Sequence, residues 1–151
     1  MCIRDSSTSP HFLARVYLFI INRLIRAAEM TDIPSFYAGR SVLLTGGTGF
    51  MGKVILEKLL RACPEIKAVY LLVRPRRDVP GPERVREFLA NDLYDKLRKE
   101  QPDFAAKIVP INGELTEDNL GMSTADAEML ANTVSIVIHS AATVKFTEKI
   151  K

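Results

Sequence analysis

The run Thr45-Gly46-Gly47-Thr48-Gly49-Phe50-Met51-Gly52 constrains the fold of this chain more than any other stretch. It follows the apolar segment Ser41-Val42-Leu43-Leu44 and opens an amphipathic one, Lys53 to Arg61. The pattern is strand, glycine turn, helix, the context in which spaced glycines form a dinucleotide site. Gly46 permits a tight turn off the strand, Gly49 lets backbone approach a pyrophosphate, and Gly52 lets the helix pack close to the strand. The new helix offers its N–H groups and the positive end of its dipole to phosphates. Two alternatives compete. Gly47 to Lys53 fits a triphosphate-binding loop, but that loop needs a Ser or Thr hydroxyl after the lysine, and the chain has Val54. The other is a glycine turn that holds no ligand.

The second strand bears on cofactor choice. Ala68 to Val73 is a short apolar β run stopped by Pro75. A site for NAD has an acidic residue near the end of this strand, about 20 residues after the glycines, to bond the ribose 2′-OH. Here Arg74 stands in that place, followed by Arg76 and Arg77. A guanidinium matches a 2′-phosphate through two parallel charge-assisted bonds, which favours NADP(H). Arg84, on the following helix, is a second candidate for the same phosphate. A solvated loop is the plain alternative for Arg76 and Arg77.

The remaining chain keeps the same rhythm. Glu83 to Glu100 reads as one or two helices after Pro82. Lys107 to Ile111 is a third strand whose Pro110 suggests an edge position. After it, Glu114 is a candidate for the adenine edge, with a simple turn as the alternative. Ser123 and Asp126 form a capping pair opening a helix from Thr124 to Ala131. Val134 to His139 is a fourth strand, apolar enough for a central place covered on both faces. His139, at its end, is expected to be a satisfied core histidine. Small residues follow, Ser140-Ala141-Ala142-Thr143, where the chain can pass close to a cofactor. The β-α-β-α-β-α-β order implies an α/β, Rossmann-type doubly wound parallel sheet of which these are the first four strands. Ligands bind such sheets outside the carboxyl ends of the strands. The glycine turn, Arg74, Glu114 and Ala141 all fall there.

Composition excludes several functions. The 151 residues are 47% hydrophobic and 26% charged, enough for a globular core, and the net charge is only +3. No dense basic block with interleaved aromatics supports nucleic-acid binding. Two cysteines, Cys2 and Cys63, make no disulfide framework, and Cys63 reads as a buried or half-buried thiol. Two distant histidines do not suggest a metal site. Residues 1–30 differ in character and are set apart from the cofactor-binding domain, expected over 31–151. His11 to Ala28 is apolar but broken by Arg15, Arg23 and Arg26, too short between them to span a bilayer. An interfacial helix, a transit peptide and non-native sequence ahead of Met30 are the open readings.

From Ile33 onward the chain resembles the insect-type fatty acyl-CoA reductases. The likeness rests on Ile33 to Arg40, Thr45 to Lys53, Tyr70 to Pro75 and Val134 to Phe146, the last stretch being the most specific. The resemblance implies an extended short-chain dehydrogenase fold that reduces long-chain acyl-CoA to the fatty alcohol with NADPH, at peroxisomal or endoplasmic-reticulum membranes. It also implies site residues. Thr45, Gly46, Thr48, Gly49, Phe50, Met51 and Gly52 would lie along the pyrophosphate, and Arg74 and Arg84 would take the 2′-phosphate. Glu114 and Leu115 would flank the adenine, and Ala141, Ala142 and Thr143 would follow the ribose and nicotinamide. The family carries Asp where this chain has Glu114, which puts the adenine contact in question. Its chemistry needs a Tyr-x-x-x-Lys pair, in which tyrosine protonates the carbonyl oxygen. None of Tyr17, Tyr37, Tyr70 and Tyr94 has lysine four residues on. The chain is therefore expected to be an amino-terminal piece that binds NADPH weakly but does not reduce acyl-CoA, with an exposed apolar sheet edge. A non-catalytic NADP-binding module, a thioester reductase domain and a nucleotide-sugar epimerase are the alternatives.

Overall fold

The computed structural model describes residues 32–74 and 81–142. The chain divides into two compact units, Met1–Phe36 and Tyr37–Lys151. Of the first, only residues 32–36 are described, and they enter a short helix, Ile33–Tyr37, none of whose residues is buried. The boundary expected after residue 30 lies outside the described residues.

The second unit is built on four parallel strands: β1 (Ser41–Thr45), β2 (Ala68–Val73), β3 (Ile108–Asn112) and β4 (Ile136–His139). Their order in the sheet is β3-β2-β1-β4. The helices are α1 (Phe50–Ala62), α2 (Gly81–Leu89), α3 (Asp95–Glu100) and α4 (Thr124–Thr133), with short 3₁₀ turns at Asp92–Tyr94, Phe104–Lys107 and Asp118–Gly121. Chain connections leave β1 toward β2 and β3 on one side and reach β4 on the other, so the switch point of this Rossmann-type sheet lies between β1 and β4.

Strand alternation divides the core between the two faces of the sheet. Val42, Leu44, Val69, Leu71 and Val73 pack in one cluster with Leu56, Leu59 and Leu60 of α1, and with Val85, Tyr94, Leu97 and Phe104. Leu43, Leu72 and Ile111 pack in the other with Leu130 of α4. In α1 the buried residues Gly52, Leu56, Leu59 and Leu60 follow helical spacing, so one stripe faces the sheet. Tyr94 is fully buried, and its hydroxyl donates to the Lys53 carbonyl oxygen at 3.2 Å. Cys63, at the end of α1, is buried as expected.

β1, buried along its whole length with an apolar centre between Ser41 and Thr45, is hydrogen-bonded on both sides, by β2 and β4. β3 holds an edge among the described strands, which accommodates Pro110. Ser123 caps α4 as expected, its hydroxyl accepting from the Asp126 amide at 3.0 Å. β4 departs from expectation. Among the described residues it pairs only with β1, and its burial alternates, with Val137 64% exposed. An all-apolar strand reports that it can be covered on both faces; the packing elements decide whether it is, and no described element covers Val137.

Candidate cofactor site

The site forms where β1, β2, β3 and β4 end. β1 passes into the turn at Gly46, whose φ is +69°, a left-handed value that disfavours any residue with a side chain. A β-carbon there would also meet the backbone of Ala141 at 2.6 Å, so the turn lies directly against the chain leaving β4. Gly52 is the tighter contact. A β-carbon on it would sit 2.1 Å from the Gly46 carbonyl oxygen and 2.6 Å from the Gly47 α-carbon. The first turn of α1 therefore packs onto the glycine loop itself, where sequence reasoning placed it against the strand.

Gly49 is the N-cap of α1, extended at φ −77° and ψ 174°, and no side chain caps the helix. Phe50, Met51 and Gly52 head the helix, where the leading amides have no partner within the helix, the usual arrangement for holding an anion. Phe50 is 84% exposed, so its contribution to such a site comes from backbone. An uncapped helix start over a loop with no room for β-carbons at Gly46 and Gly52 fits a pyrophosphate.

A cleft of about 180 Å³ opens beside this loop, lined by Gly46, Thr48, Arg74, Glu114, Leu115 and Ala141, together with Leu72 and Gly113. Six of the residues singled out from the sequence thus converge on one cavity. A larger cavity of about 510 Å³ shares Thr48 with this cleft and is lined also by Lys53, Arg84, Glu87, Phe88 and Asn91.

Two arginines meet at the end of β2. Arg74 grips Glu114 in a two-point ion pair: Nη2 donates to Oε1 at 2.9 Å, and Nε donates to Oε2. The guanidinium holds the Glu114 carboxyl below the ordinary carboxylate range. Arg84 reaches back from α2, and its Nη1 donates to the Arg74 carbonyl oxygen. Arg74, expected at the 2′-phosphate, and Glu114, expected at the adenine, are therefore bonded to one another.

Other expected residues take different places. The Thr45 side chain is buried, and its hydroxyl bonds Nδ1 of His139 at 2.7 Å, tying the ends of β1 and β4 together. Thr45 thus spends its side chain on the scaffold. His139 is satisfied, as expected, but exposed rather than in the core, because β4 runs along the edge of the described sheet. Ala142 is exposed beyond β4 and does not line the cleft. Thr143 lies outside the described residues, as do Arg76 and Arg77.

Sequence reasoning missed Gly113 and Leu120. A β-carbon on Gly113 would lie 2.4 Å from Leu72 Cδ1 and 2.6 Å from the Leu120 carbonyl oxygen. Asn119 and Leu120 both take left-handed φ values, 51° and 59°, and the Leu120 carbonyl accepts the Glu114 amide at 2.7 Å. The Asn112-Gly113 dipeptide was the available signal for Gly113; a left-handed leucine has none.

Comparison with known proteins agrees with this architecture. The NAD-binding family described as male sterility protein matches residues 44–151. Fatty acyl-CoA reductase 1 of Homo sapiens is 50% identical over 122 residues, 81% of this chain and 24% of that protein. The Xenopus laevis protein of the same name is 53% identical over the same span, and fatty acyl-CoA reductase 2 of Bos taurus is 39% identical. The chain spans about a quarter of the length of these curated relatives. Among solved structures, the terminal R domain from the myxalamid PKS-NRPS biosynthetic pathway superposes with a TM-score of 0.59 at 32% identity, over 74% of this chain and 27% of that one. The reductase domain of a non-ribosomal peptide synthetase from Mycobacterium tuberculosis gives 0.58 at 30% identity, over 72% and 26%. A family match over most of the chain, on a Rossmann-type sheet with a glycine loop at its switch point, shows that this chain belongs to the NAD-binding male sterility protein family.

Proposed function

We propose that this chain is the cofactor-binding part of an NADPH-dependent reductase that converts long-chain fatty acyl-CoA to fatty alcohol. The observation that carries the cofactor choice is Arg74. Its guanidinium stands at the end of β2 over the cleft bounded by Gly46, Gly113 and Ala141, where an NAD site has a carboxylate. The substrate class is supported by the 48% to 53% identity to proteins named fatty acyl-CoA reductase 1. A thioester reductase is the second reading, supported by the likeness to synthetase reductase domains at 30% to 32% identity. The insect-type assignment rests on the sequence runs quoted above.

The chain's own residues bind and orient. The Gly46 to Gly52 loop would hold the pyrophosphate on backbone amides, Arg74 the 2′-phosphate, and Ala141 would allow close approach beside the ribose. When bound, the nicotinamide supplies hydride. The Tyr-x-x-x-Lys pair that would protonate the carbonyl oxygen is not in this sequence. The parent is assigned to the cytosolic face of peroxisomal or endoplasmic-reticulum membranes on the resemblance. No helix among the described residues is long and apolar enough to cross a membrane.

Arg74→Ala tests the cofactor reading. Losing a charge-assisted contact worth about 1.5–3 kcal/mol weakens NADPH binding by about 10- to 100-fold. NADH, which lacks the phosphate, binds nearly as before. Equal loss for both cofactors refutes a phosphate role.

A further inference from the structure

We propose that Glu114 is a positioning residue for Arg74, holding its guanidinium by the Nε/Nη2 edge so that the Nη1/Nη2 edge faces an incoming 2′-phosphate. This rests on the cofactor reading above and assigns the acidic residue after β3 to phosphate discrimination instead of adenine recognition.

Both oxygens of the Glu114 carboxylate are turned onto Arg74. A guanidinium has two edges able to make paired bonds, and five N–H donors in a fixed fork. The ion pair occupies one edge. Two donors on Nη1 and one on Nη2 remain, and no hydrogen bond of the described residues engages Nη1 of Arg74.

The glutamate is the rigid member of the pair. Its side chain is 22% exposed, against 70% for Arg74. Its amide donates to the Leu120 carbonyl at 2.7 Å, and its own carbonyl accepts from the Glu117 amide at 3.1 Å. The loop that makes these bonds turns through three consecutive left-handed residues, Asn119, Leu120 and Gly121, two of them with side chains. Such conformations persist where the surroundings impose them. Gly113 has no room for a side chain, which fixes the backbone on the other flank. Arg74 is further held from behind by Arg84 through its carbonyl oxygen. A long, exposed arginine that would otherwise sample many rotamers is thus held at both ends. Binding then loses less side-chain freedom at the moment the phosphate arrives. The negative charge of Glu114 opposes the phosphate, but the Arg74 guanidinium lies between the two and its positive charge offsets that repulsion.

The test is calorimetric titration of the 151-residue chain with NADPH and NADH, for wild type, Glu114→Gln, Arg74→Ala and the double variant. Glu114→Gln is expected to weaken NADPH binding by about three- to tenfold, the scale of one immobilised side chain. NADH should change less than about twofold, because its adenine is the same and its phosphate is missing. In the Arg74→Ala background the glutamine should cost nothing further, since the partner it positions is gone. Equal losses for both cofactors overturn the proposal in favour of an adenine contact. Tighter NADPH binding overturns it in favour of competition between Glu114 and the phosphate. Should Glu114→Gln not fold, Glu114→Asp gives the answer: the charge stays but the shorter side chain cannot keep both bonds to Arg74, and NADPH binding should fall while NADH binding holds. NADPH binding unchanged in Glu114→Asp refutes the clamp. If Arg74→Ala itself leaves NADPH binding intact, the cofactor reading fails, and the clamp with it.

Discussion

Replacing Gly52 with alanine isolates the packing that shapes the glycine loop. The added methyl would lie 2.1 Å from the Gly46 carbonyl oxygen, 2.6 Å from the Gly47 α-carbon and 2.7 Å from the Gly46 carbonyl carbon, all backbone atoms. Relief requires α1 to retreat by about 1 Å from the turn, and forced overpacking of this kind costs about 1–3 kcal/mol. Alanine is the better helix former by about 1 kcal/mol in a helix interior. Gly52 is the third residue of α1, where that gain is smaller, and the clash involves backbone that cannot rotate away. The clash therefore wins, with a net loss of about 2 kcal/mol. With a urea dependence of about 2 kcal/mol per molar, the unfolding midpoint followed by circular dichroism drops by about 1 M. Gly49→Ala is the matched control. Its methyl would meet only the Gly46 carbonyl oxygen, at 3.2 Å, on an extended backbone open to all residues. Stability should change by less than about 0.5 kcal/mol, while NADPH binding falls because the methyl stands at the uncapped helix start. An unchanged or raised midpoint for Gly52→Ala would refute the reasoning, since propensity would then have outweighed contact. Equal destabilisation by both substitutions would refute it as well.

Three further outcomes are expected. Thr45→Val keeps the shape of a buried side chain but removes its 2.7 Å bond to His139, and should lower stability by about 1 kcal/mol in denaturant titration. Tyr94→Phe removes the phenol hydroxyl from the Lys53 carbonyl while leaving the ring packed near Phe88 and Phe104; a loss of about 1 kcal/mol is expected by the same assay. The Glu114 carboxyl titrates below its unfolded value because Arg74 bonds its charged form, so the pair's contribution is complete above the ordinary carboxylate pKa and is lost as pH falls through the lowered one. Carbon-detected NMR titration of the Glu114 carboxyl should show this lowered midpoint, and Arg74→Ala should return it toward the ordinary value.

Local chemistry was legible in the sequence where it acts through neighbours. β2 was bounded correctly at Ala68 and Val73 because it is a continuous apolar run that Pro75 stops. Ser123 announced the start of α4 because a cap bonds an amide three residues on. The glycine spacing located the switch-point turn, since a left-handed Gly46 and a crowded Gly52 leave no other residue type at low cost. Relations between distant residues were not legible. Arg74 and Glu114 stand 40 positions apart and Thr45 and His139 stand 94 apart, so each was assigned a role without its partner. The exposure of β4 depends on which elements cover it, and an apolar strand carries no record of them.

The most direct measurement is the amide NMR spectrum of the isotopically labelled chain with and without NADPH. The account predicts shifts concentrated at Gly46, Thr48, Gly49 to Gly52, Gly113 and Ala141, together with the Arg74 side-chain Nε–H, and a smaller response at Arg74 with NADH. Shifts centred elsewhere, or an identical response of Arg74 to the two cofactors, would contradict it.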